Sequence, residues 1–189
     1  MPAQLYHPAL RALAALVILF AAWWNVHDAR RIDLAVLQDR AEVTVPLDSQ
    51  HPLLQSFVPQ ANHLTALELN VRILRTPQDR NAALSLHLRR DRPDAPDLAQ
   101  TRVGLVALEN DPQFTFSFAP EPASRLGTYF LLMETDAEAD AIAVWASSDN
   151  ALDDGVLVAN GQSTGQDLSL RAYDEIEPGE MLSEFGEHT

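Results

Sequence analysis

Apolar and polar positions along this chain follow two rhythms, and the change falls near residue 42. From Ala9 to Val26 the sequence is almost wholly apolar and carries one charge, Arg11. At the rise of a helix these residues reach roughly 27 Å, about one hydrocarbon core. The run ends in Trp23-Trp24-Asn25 rather than in a small-residue cleavage site. Indole rings suit a membrane–water interface, so Arg11, Trp23 and Trp24 read as the fixed points of a retained anchor helix. Asp28 to Arg40, with Ile32, Leu34, Val36 and Leu37 among charges, reads as a continuation of that helix into an amphipathic stalk.

Beyond Glu42 the period becomes two. Leu67, Leu69, Val71 and Ile73 alternate with polar residues, as do Leu84, Leu86 and Leu88, and Phe114, Phe116 and Phe118 share one face. Such alternation marks half-buried strands. Further strands are predicted over 42–45, 53–58, 102–108, 128–134, 141–146, 156–159 and 168–173, with turn residues about every ten positions. The resulting nine or ten short strands argue for an all-β fold, a jelly-roll-type β-sandwich preceded by one N-terminal transmembrane helix. The predicted organisation is a short tail (1–8), an anchor (9–27), a stalk (28–41), the sandwich (42–174) and an acidic C-terminal tail (175–189). In that last segment Met181, Leu182 and Phe185 fall on one side of a helical turn, as a partner-docking segment would place them.

Charge narrows the choice of partners. Three of the 27 acidic residues and four of the 13 arginines precede residue 41, which leaves the rest with 24 acids against nine bases. A surface of that sign repels phosphate backbones, so nucleic acid is a poor partner. Lysine is absent. Cysteine is absent too, which excludes disulfides, thiolate metal sites, iron–sulfur clusters and cysteine nucleophiles.

Few residues suggest chemistry. Gly161-Gln162-Ser163-Thr164-Gly165 fits G-x-S-x-G, but that motif needs a strand before it and a helix after it. Here strands flank it on both sides, and Asn160-Gly161 is a hairpin-turn pair. Asp149, Asn150, Asp153 and Asp154 offer oxygen ligands in one loop, a candidate calcium site, the only cofactor the sequence suggests. Glu134, Asp136, Glu138 and Asp140 form a second acidic run, read as alternating outward. Trp145 lies opposite Ile142, Val144 and Ala146 on its strand and is the candidate ligand platform. No pair of carboxylates is singled out for hydrolysis.

Gln55-Ser56-Phe57-Val58, Asn62-His63-Leu64-Thr65-Ala66-Leu67-Glu68-Leu69, Phe116-Ser117-Phe118-Ala119-Pro120, Ser124, Gly127-Thr128-Tyr129-Phe130 and Asp167-Leu168-Ser169-Leu170-Arg171-Ala172-Tyr173 together carry a resemblance. From about residue 53 to 173 the chain resembles a jelly-roll module of the extracytoplasmic parts of bacterial envelope membrane proteins, broadly similar to galactose-binding-like and carbohydrate-binding domains. The resemblance implies a binding or assembly module without an active site. Many relatives have several helices where this chain has one, so a role tied to a fused enzyme does not carry over.

Orientation follows from opposing cues. Arg30 and Arg31 favour a cytoplasmic C-terminal side, whereas an eight-residue leading tail is that of a signal anchor whose remainder is translocated. The composition of the remainder fits the second. The expectation is therefore a non-catalytic, single-pass protein of the cytoplasmic membrane with its N-terminus inside and its sandwich in the periplasm. It would serve as an accessory or assembly subunit of a larger membrane complex, contacting other subunits through helix and sandwich and docking a basic soluble partner. A glycan-binding module using Trp145, and a hydrolase with an unrecognised carboxylate pair, are the alternatives.

Overall fold

A computed structural model describes residues 31–152 and 154–176, with side-chain environments from Val36 to Glu175. Nearly all of them belong to one compact unit, Asp33–Glu175. The strands are β1 (Arg31–Gln38), β2 (Val43–Leu47), β3 (Leu53–Phe57), β4 (Leu64–Ile73), β5 (Ala83–Arg90), β6 (Ala99–Gly104), β7 (Gln113–Glu121), β8 (Tyr129–Thr135), β9 (Ile142–Ala146), β10 (Val156–Ala159), β11 (Gln162–Ser163) and β12 (Leu170–Ile176). One helical turn, α1 (Leu105–Leu108), interrupts them.

The strands form two antiparallel sheets packed as a β-sandwich. The first runs β1-β12-β4-β9-β2, with β7 also paired to β4; the second runs β11-β10-β3-β8-β5-β6. β4 holds the first sheet together because it is long. β7 pairs with Leu64–Asn70 along one edge, while β12 pairs with Leu64–Leu69 and β9 with Val71–Ile73 along the other.

Period two sets the core. Leu67, Leu69 and Val71 of β4 and Ile142, Val144 and Ala146 of β9 face inward from the first sheet. Leu84, Leu86 and Leu88 of β5 with Tyr129, Leu131 and Met133 of β8 face them from the second. Each fully buried leucine contributes about 2 kcal/mol over its exposed state, so the phase of each strand is strongly fixed. Phe57 and Tyr129 stack with centroids 5.8 Å apart.

Three expectations change. Residues 31–38 are a strand and not a helical stalk. Val36 and Gln38 are buried while Leu37 is exposed, a spacing of two that pairing with β12 rewards. Leu105 to Leu108, expected to continue a strand, is α1: its buried residues, Leu105 and Leu108, stand three apart with Val106 exposed, the spacing of a helical face. Strand β2 runs through Pro46 rather than stopping before it, as an edge strand tolerates. Among the described residues no helix is long and apolar enough to cross a membrane. The anchor expected over 9–27, with Arg11, Trp23 and Trp24, lies outside them, as do Met181, Leu182 and Phe185.

Candidate binding face

Alternation that buries one side of β4 sends Glu68, Asn70 and Arg72 to the outer face of the first sheet. The neighbouring strands supply their lateral partners there. Arg171 of β12 stands opposite Glu68, Thr115 of β7 flanks Glu68 on the other side, and Ala143 of β9 stands opposite Arg72. Trp145, two residues along β9, shares that outward phase and is partly buried.

Glu68 is the hub. Its Oε1 accepts from Gln113 Nε2 at 2.7 Å and from Arg171 Nη1 at 3.2 Å, and its Oε2 accepts from the Tyr173 hydroxyl at 3.2 Å. Three strands thus converge on one carboxylate, whose side chain is only 14% exposed. The Tyr173 hydroxyl beside Arg171 is the main reason its guanidinium is held above its ordinary value, with the Glu68 charge adding to it. Asn70 donates to Ser169 Oγ at 3.2 Å, and the Ser169 amide donates to the Trp145 carbonyl at 2.8 Å. The Arg72 guanidinium lies 5.5 Å from the centre of the Trp145 ring, a cation–π contact. Among the described residues Arg72 has no carboxylate partner.

The sequence singled out Trp145 alone. Glu68, Arg72, Arg171 and Tyr173 complete its face, and the signal that could have found them is the polar phase of β4 and β12. That phase shows which side a residue takes, but not which strands lie next to one another.

The other sequence candidates separate. Asp149 pairs with Arg40 at 2.6 Å. Asn150, with its amide turned so that both ends are satisfied, donates to the Gly155 carbonyl and to Asp167 Oδ2. Asp154 is exposed and Asp153 lies outside the described residues. Among the described residues no group of three acidic or histidine side chains is gathered to hold a metal ion. The second acidic run disperses: Asp136 accepts from Arg102 Nη2 and from the Ala83 amide, and Glu138 accepts from the Gln78 amide. Ser163 is exposed on β11, and Asn160 and Gly161, with φ of 54° and 72°, make the tight turn before it. Those angles are what a two-residue hairpin requires, not a nucleophile elbow.

No protein-family model matches the chain, and neither does any curated protein.

Proposed function

We propose that this chain is a non-catalytic protein-binding module, a jelly-roll-type sandwich that engages its partner through the outer face of the first sheet. In this reading one N-terminal helix, residues 9–27, tethers it to the cytoplasmic membrane with the sandwich in the periplasm, as an accessory subunit of a larger membrane complex. The apolar run and its terminal indoles support the tether. The single observation that carries the binding reading is the Trp145–Arg72 pair beside the Glu68–Arg171–Tyr173 cluster.

Trp, Tyr and Arg are the residues on which protein interfaces concentrate their binding energy. Here Arg171 and Tyr173 are held by cross-strand hydrogen bonds to Glu68, and Arg72 by its contact with the Trp145 ring, before any partner arrives, which lowers the ordering cost of association. A glycan platform is the weaker reading, because Arg72 already lies over the ring on which a sugar would stack.

The test is purification of the tagged full-length chain in mild detergent, followed by identification of co-purifying subunits. A stoichiometric partner lost on Trp145→Ala and on Arg72→Ala, with circular dichroism unchanged, is expected. Migration of the unaltered protein alone at monomer size would overturn the reading.

A further inference from the structure

Apart from that face, one end of the sandwich holds a cavity of about 370 Å³. Val36 and Leu37 of β1, Val58 after β3, and Leu152 supply its aliphatic side chains, and Gln60 and Asp154 supply its polar ones. This size is that of small-ligand sites, and the lining is mixed, with aliphatic side chains beside exposed polar groups.

The polar side offers two acceptors. Gln60 Nε2 donates to the Val58 carbonyl at 3.3 Å, and its Oε1 is an acceptor. Asp154 is exposed and makes no ion pair among the described residues. Leu37 is 53% exposed although it borders the cavity. A cavity that sets aliphatic side chains beside a carboxylate and an amide oxygen matches an aliphatic stem that ends in an ammonium group, which has three donors and no acceptor.

The wall is fixed in advance. The buried Asp167 carboxylate accepts from the amides of Ala151 and Leu152 at 2.7 and 2.8 Å, and the Gly155 amide donates to the Leu152 carbonyl at 2.9 Å. The Gln38 side chain at the end of β1 donates to the carbonyls of Asp167 and Leu168. Both sides of the cavity therefore hang from one segment.

We propose that this cavity is a binding site for a primary ammonium on an aliphatic stem, supplied either by a lysine side chain of a partner protein or by a free alkyl amine. The chain contains no lysine of its own to fill it, and its net charge of −14 favours a cationic visitor.

The experiment titrates the full-length protein in detergent micelles, with leucine and valine methyls labelled for NMR. The probes are n-pentylamine, Nα-acetyl-lysine N-methylamide and Nα-acetyl-norleucine N-methylamide, the last having the stem without the ammonium. Saturable shifts of the Val36, Leu37, Val58 and Leu152 methyls with either ammonium probe are expected. Norleucine should bind at least about tenfold more weakly, a free-energy difference of about 1.4 kcal/mol. The tighter ammonium probe names the source, amine or lysine. Asp154→Asn should weaken binding by about tenfold, whereas Asp149→Asn, which removes an equal charge already paired with Arg40, should leave it unchanged. Equal binding of norleucine, indifference to Asp154→Asn, or absence of shifts at these methyls would overturn the proposal.

Discussion

Asp167 Oδ1 accepts a hydrogen bond from Gln55 Nε2 at 2.9 Å, joining residues 112 positions apart. Gln55 returns the link, since its Oε1 accepts from the Leu168 amide at 2.9 Å. Both side chains are fully buried. Gln55 sits on β3 of the second sheet, and Asp167 and Leu168 lead into β12 of the first, so the pair is a polar stitch between the layers. The same carboxylate gathers the 150–152 loop, which makes one acidic residue responsible for one end of the sandwich.

Asp167→Ala should therefore cost about 3 kcal/mol, because it leaves one N–H of the Gln55 side chain and the backbone amides of Ala151 and Leu152 without an acceptor. Asp167→Asn keeps one oxygen and should cost less. Urea unfolding followed by tryptophan fluorescence measures both. A loss under about 0.5 kcal/mol for the alanine variant would be that of an ordinary surface position, and the stitch would then be decorative.

Tyr129 makes the opposite case. It is fully buried, and among the described residues its hydroxyl has no hydrogen-bond partner. Burial pushes its pKa up to about 12, with Arg90 opposing. Removing an unsatisfied polar atom relieves a desolvation penalty, so Tyr129→Phe should be neutral or stabilising by about 1 kcal/mol. The sign in alkali is defined. Because the folded pKa exceeds the unfolded value near 10, stability is intact below about pH 10 and declines toward pH 12 as the unfolded chain alone loses its proton. Denaturation midpoints between pH 9 and about 12 should fall for the wild type, and less for Tyr129→Phe.

Gly155 is required by space, not by dihedral angle. A Cβ there would stand 2.6 Å from Leu152 Cβ and 3.1 Å from Asp167 Oδ1. Gly155→Ala should cost about 2 kcal/mol. Gly104→Ala, with nothing within 4 Å of the added carbon, is the matched control and should be neutral or stabilising by about 0.5 kcal/mol. Thermal melts of the two variants side by side decide it.

The β5–β6 connection depends on acid. Arg89 Nε donates to Asp97 Oδ1 at 2.7 Å, and His87 Nδ1 meets Oδ2 at the same distance. The Arg89 hydrogen bond, and after it His87, holds the Asp97 carboxyl below its ordinary value. A depressed carboxyl stabilises the fold above its unfolded pKa and stops doing so as pH falls through the folded value. Asp97→Asn should thus lower stability at pH 7 by about 1 kcal/mol or less, since the pair is partly exposed. The gap to the wild type should close as pH falls below the ordinary aspartate range.

The period of two in 64–74 and 83–88 determined by itself that those segments are strands and which side of each is buried. Burying leucine on one face is a local matter of spacing. Over 31–38 the helical reading failed because Ile32, Leu34, Val36 and Leu37 fit both periods; pairing beside β12 settled it. Leu105 and Leu108 belong to a turn of helix for a similar reason, since four residues are too few to display a period. For the candidate face, the sequence supplied Trp145 and the outward phase of Glu68, but the placement of Arg72 against one and of Arg171 and Tyr173 against the other was decided by tertiary structure. So was Asp167, which local sequence gives no cause to bury. A buried carboxylate is tolerated only where donors from distant segments meet it, and that meeting exists only once both sheets have closed.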